Sequence, residues 1–269
     1  MEIFDCLFDT KKSNILKGVL GKNHLDHLKS VLNIHVLEYL QSNKPESLKY
    51  LKLICDLYHQ VDEEEITKFP KYDTSNKKVI IVNDNLKMKT ACKVIKRQSF
   101  VGYDTESKPV FQKEKPPNRI ALIQIATREK CFLFQMGKLN NINPLLELLR
   151  CDDIRKIGVG IRIDNTQIFQ NFGCKVSNVI DLNEIFQEVG NKTTIGSKQM
   201  VARVLKKNLV KKRKISLSNW EIKSLSQQQI EYASDDAFSA LEVFLRLKNL
   251  FKQFCHFTPK RILNLLAVE

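Results

Sequence analysis

The sequence predicts a mixed α/β domain preceded by a helical segment, and three observations lead to that expectation. From residue 79 onward, short runs of β-branched and aromatic residues recur between stretches of helical periodicity. Before residue 70 the apolar residues follow helical spacing. Hydrophobic residues make up 43% of the 269, enough for one full domain with an added module and too many for a disordered chain.

Taken in order, residues 1–70 read as two or three amphipathic helices. Leu25, Leu28, Leu32, Val36, Leu37 and Leu40 recur at spacings of three, four and one, and Leu48, Leu51, Ile54, Cys55, Leu57 and Tyr58 repeat the pattern after Pro45. This segment suits packing or a protein partner. His24, His27 and His35 lie in it, but the i, i+3 pair has no third ligand in support of a metal site. Residues 71–78 read as a linker to a domain spanning 79–269. There Val79 to Val82 and Ser99 to Asp104 are expected strands, and Asn118 to Thr127 with Cys131 to Gln135 form an expected hairpin. Helices then alternate with short strands at Lys156 to Val159 and Val179 to Leu182, and a strong helical pattern ends near Leu247.

Charge and cysteine content narrow the function classes. The formal charge is +14; residues 1–76 hold 10 Lys/Arg against 12 Asp/Glu, so the remainder carries a surplus of 16 positive charges. A basic domain of this kind suits a polyanion partner, with a lysine-rich solvated surface as the bland alternative. Seven cysteines form no C-x-x-C pair, which fits buried free thiols in a reducing compartment. No apolar run approaches the ~18–20 residues of a membrane span. Met1 to Asp5 has no basic lead into an apolar stretch, so a soluble intracellular protein is expected, cytoplasmic before nuclear.

Three short patterns carry chemistry. In Val101-Gly102-Tyr103-Asp104-Thr105-Glu106, an apolar strand ends in acids at i and i+2, which share one strand face. Carboxylates so close are unfavourable unless one is protonated or a cation lies between them. In Lys156 to Asp164, a glycine-bearing strand leads to Asp164, which would also serve as an N-cap. In Glu231-Tyr232-Ala233-Ser234-Asp235-Asp236, Tyr232 and Asp236 are i and i+4 on one helix face, while Asp235 projects ~100° away. Each pattern alone is most often a solvated strand end, a cap or an exposed helix face.

Together, D-x-E on a strand, Asp164 58 residues after Glu106, and Y-x-x-x-D 72 residues after Asp164 resemble the DEDD exonuclease superfamily. Tyr232 with Glu231 before it resembles the tyrosine-bearing subgroup, and the whole looks closest to ribonuclease D-like enzymes. Leu122-Ile123-Gln124-Ile125 and Leu217-Ser218-Asn219-Trp220-Glu221 extend the resemblance, which covers roughly residues 77–250. It implies a ribonuclease H-like mixed sheet flanked by helices. It implies 3′→5′ exonuclease activity on single-stranded nucleic acid with two Mg²⁺ or Mn²⁺ ions, hard cations suited to oxygen ligands. By resemblance, Asp104 bridges both ions, Glu106 and Asp236 hold one, Asp164 holds the other, and Tyr232 orients the attacking water.

RNA is the expected substrate by analogy with the family. A DNA exonuclease and a catalytically weak nucleic-acid-binding adaptor are the alternatives; an adaptor would be expected to lose an acid, and all four are present. Arg203, Lys206, Lys207, Lys211, Lys212, Arg213 and Lys214 form an acid-free basic strip, with Lys211 to Lys214 the expected phosphate contacts. The same four residues also fit a nuclear-import tetrapeptide. Lys108 and Arg119 are further expected substrate contacts. Trp220 is a candidate for base stacking, with packing against the core as its other reading.

Overall fold

A computed structural model of the chain describes residues 45–110 and 118–268. The expected helices around Leu25 to Leu40 and the histidines 24, 27 and 35 lie outside the described residues. All six expected strands form one mixed sheet. They are β1 (Lys78–Val82), β2 (Phe100–Ser107), β3 (Ile120–Ala126), β4 (Lys130–Gln135), β5 (Arg155–Gly158) and β6 (Val179–Asp181). Their spatial order is β1-β4-β3-β2-β5-β6. The hairpin strands β3 and β4 pair antiparallel, as does β2 with β3, while β1 with β4, β2 with β5 and β5 with β6 run parallel. Helices cover both faces, giving the α/β architecture the sequence predicts.

Strand alternation sorts the core between those faces. Val101 and Tyr103 of β2 face one side, in a cluster with Ile123, Ile125, Phe132 and Phe134. Helices α3 (Asn85–Ile95), α4 (Asn143–Arg150) and α5 (Arg162–Phe172) lie on that side, through Met88, Leu145 and Ile168. Leu122, Ala126 and Leu133 face the other way, where Ala233, Ala237 and Phe238 of the 26-residue helix α9 (Gln227–Lys252) meet them. A capping box starts α9: Ser226 Oγ accepts from the Gln229 amide and Gln229 Oε1 accepts from the Ser226 amide. The helix passes unusually close to the sheet at Gly102, whose missing side chain leaves room for the Ala237 carbonyl.

Residues before the sheet are fastened to this body. Helix α1 (Pro45–Tyr58) contributes Tyr50, Ile54 and Leu57 to a core shared with Phe244 and Phe251 of α9. After α2 (Glu63–Lys68), the stretch read as a linker is pinned at several points. Tyr72 is buried and its amide donates to Asn208 O over 2.8 Å, Thr74 Oγ1 donates to Asp235 Oδ1 over 2.8 Å, and Lys77 pairs with Glu242. Arg203, counted with the basic strip in the sequence, is a correction. It lies buried in α7 (Ser197–Leu205) and donates to the Leu57 and Tyr58 carbonyls and Asn191 Oδ1, binding α1 to the domain. Pattern alone cannot separate such a buried arginine from solvated neighbours. Among the described residues, no helix is long and apolar enough to cross a membrane.

Candidate active site

Asp104 and Glu106 leave β2 on the α9 face, and Asp236 reaches them from α9. One carboxylate oxygen from each lies within 4.8 Å of the others. Asp236 is 7% exposed, and Asp104 and Glu106 are half-buried. Burial, and then the Asp236 and Asp164 carboxylates, hold the Asp104 carboxyl well above the usual range. Burial and the same cluster raise Glu106, and burial raises Asp236 against the opposing pull of Lys211.

Asp164 arrives differently. Helix α5 begins at Arg162, so Asp164 sits in its first turn and not at the cap. The Thr105 hydroxyl, buried on β2 between the two acids, donates to Asp164 Oδ1. Asp164 therefore stands beside the three-carboxylate group rather than within it; burial raises its pKa and the Thr105 hydrogen bond opposes this. Thr105 escaped the sequence reading, and its only signal was its position inside D-x-E.

Tyr232 lies one helical turn before Asp236, with its ring 6.1 Å from that of Trp220. Burial, then Asp236, raises its pKa above the ordinary tyrosine value, so the hydroxyl keeps its proton at neutral pH. Asp235 points away to Thr74. Lys211 approaches from the chain before α8 (Arg213–Ser216) and ion-pairs with Asp236.

The donor set fits divalent ions. Oxygen ligands from two elements converge, as hard cations require. Gln124 adds a second sign: it pairs in register with Asp104 on the same face. It is fully buried, and both its amide atoms lack a hydrogen-bond partner among the described residues. A buried amide held unsatisfied opposite Asp104 is costly to the fold alone, so Gln124→Leu is expected to raise stability in chelator by about 1–3 kcal/mol. A urea melt with a midpoint at or below wild type would count against this.

The remaining expected contacts are dispersed. Lys212, Arg213 and Lys214 are exposed. Lys108 Nζ lies 3.9 Å from Glu221, with both side chains about half exposed. Arg119 lines a cavity of about 520 Å³ with Gln135, Lys138, Phe172 and Trp220. Trp220 departs from the stacking expectation: it is 2% exposed, with Nε1 donating to Ser216 O over 3.2 Å, because it closes the loop onto α9.

Comparison with known proteins adds to this geometry. Residues 79–252 match the family described as 3'-5' exonuclease. A 3'-5' exonuclease of Arabidopsis thaliana is 30% identical over 154 residues, 56% of this chain and 54% of that protein. The chain thus spans about half the length of this curated relative. Among solved structures, the Nibbler EXO domain of Aedes aegypti aligns with a TM-score of 0.60 at 20% identity, over 77% of this chain and 99% of that one. Trypanosoma brucei RNase D in complex with RNA U12 aligns with a TM-score of 0.57 at 20% identity, over 72% of this chain and 71% of that one. Both share the fold.

Proposed function

The chain belongs to the 3'-5' exonuclease family, and on that premise we propose that it trims single-stranded nucleic acid from the 3′ end. RNA is the preferred substrate, nucleoside 5′-monophosphates are the products, and two divalent ions, Mg²⁺ or Mn²⁺, assist. The observation that carries this reading is the convergence of Asp104, Glu106 and Asp236 beside Tyr232. When bound, such ions supply Lewis acidity at the attacking and leaving oxygens of the phosphodiester.

The residues of the chain supply the rest. Asp104, Glu106 and Asp236 hold the cations, and Asp164, oriented by Thr105, completes the set from α5. Tyr232, one helical turn before Asp236, orients the attacking water through its hydroxyl. This tyrosine supports a place in the tyrosine-bearing subgroup. Lys212, Arg213 and Lys214 hold backbone phosphates at the surface, and Lys108 and Arg119 steer the strand. The preference for RNA is supported by the shared fold with an RNase D whose structure contains RNA.

The test uses 5′-labelled single-stranded RNA and DNA of one sequence, with Mg²⁺, Mn²⁺ or chelator. A ladder shortening from the 3′ end, faster on RNA and silent in chelator, is expected. DNA trimmed as fast as RNA would overturn the substrate preference. Neither polymer trimmed with either ion would overturn the enzymatic reading in favour of an adaptor.

A further inference from the structure

The basic run Lys211 to Lys214, which leads into α8, is not uniform. Lys212, Arg213 and Lys214 are exposed, but Lys211 turns inward, its side chain 27% exposed against 6% for its partner Asp236. The Lys211 ammonium donates to Asp236 Oδ1, lies 3.3 Å from the Tyr232 hydroxyl and sits 4.4 Å from the centroid of the Tyr232 ring. One cation is therefore bound to both residues that α9 brings to the site.

This arrangement sets up a competition. A divalent ion held by Asp104, Glu106 and Asp236 needs the carboxylate that Lys211 already binds. Two cations side by side in a half-buried site repel strongly. We propose that Lys211 is a positioning residue that serves as a tethered counter-cation of the acid cluster, holding Asp236 and Tyr232 in place and yielding Asp236 when a divalent ion binds. The inference rests on the metal-site reading above and adds a regulatory property: the chain's own lysine sets the threshold of metal concentration at which the site loads. It also separates Lys211 from Lys212, Arg213 and Lys214, which are exposed.

The experiment is calorimetric titration of Mn²⁺ into the full chain, as wild type, Lys211→Met, Lys211→Arg and Lys212→Met. Lys211→Met is expected to bind Mn²⁺ about tenfold more tightly, because the competitor is gone. Its melting temperature in chelator should fall, since Asp236 loses its partner, and the rise on adding Mn²⁺ should exceed that of wild type. Lys211→Arg keeps the cation, and Lys212→Met removes a charge that faces solvent; both should stay within about threefold of wild type. Mn²⁺ affinity in Lys211→Met equal to or weaker than wild type would overturn the proposal and leave the metal site standing. Failure of wild type to bind Mn²⁺ would overturn both. Should Lys211→Met not fold, the Arg variant decides: tighter Mn²⁺ binding with the cation retained would sink the idea.

Discussion

Asp104→Asn is expected to lower the trimming rate on 5′-labelled RNA by at least about 10³-fold, the scale of losing several kcal/mol of cation-derived stabilisation of the reacting oxygens. Asparagine preserves the shape and still offers an oxygen to the Thr105 amide, which Asp104 Oδ1 accepts over 3.0 Å. What it removes is the charge at the centre of the cluster. The same substitution should alter pH dependence in chelator, with a sign fixed by linkage. The folded-state pKa of Asp104 is raised by burial and by Asp236 and Asp164, so between the ordinary carboxylate value and the raised one the folded chain binds more protons than the unfolded chain. That contribution to stability is complete at low pH and is lost as pH rises from about 4 through the folded pKa. Wild type in chelator should therefore lose more stability between pH 5 and pH 8 than Asp104→Asn does. Comparing the two proteins cancels groups of opposite behaviour such as Asp73 and Asp84, whose pKa values are lowered. A variant that trims within tenfold of wild type, or whose pH 5 to pH 8 span matches it, would remove Asp104 from the centre of the site.

Strands and acids were legible for a shared reason: both are written in local pattern. β-branched runs marked β1 to β6 to within a few residues, and D-x-E on a strand put Asp104 and Glu106 on one face without any tertiary knowledge. Spacing on α9 likewise paired Tyr232 with Asp236 and dismissed Asp235. Non-local features were not legible. Gln124 stands beside Asp104 only through the register of β2 with β3, which no run of residues states. Lys211 and Lys212 are adjacent and chemically identical, yet one pairs with Asp236 and the other meets water. The burial of Trp220 and Arg203, and the pinning of Tyr72, likewise depend on what arrives from elsewhere in the chain.

Gly102→Ala tests the contact that makes the site possible. The convergence of acids from β2 and α9 needs the helix to lie against the strand two residues before Asp104. A Cβ on Gly102 would stand 1.8 Å from the Ala237 carbonyl oxygen, 2.8 Å from its carbonyl carbon and 3.2 Å from Leu241 Cβ. Two of those three atoms belong to backbone in the middle of a long helix, so no rotamer change relieves the clash and α9 must lift from the sheet. Overpacking against rigid backbone is expected to cost about 3 kcal/mol or more in a urea melt. Whatever fraction folds should also trim RNA at least about 100-fold more slowly, because lifting α9 carries Asp236 and Tyr232 away from Asp104. Shrinking the neighbour should not help: Ala237→Gly removes a methyl group but leaves the carbonyl that clashes. Gly137→Ala is the matched control, since an added Cβ there meets nothing within 4 Å, and its stability should stay within about 0.5 kcal/mol of wild type. If Gly102→Ala melted and trimmed as wild type does, α9 would be free to shift without disturbing the acids, and the close approach at Gly102 would not be what sets their spacing.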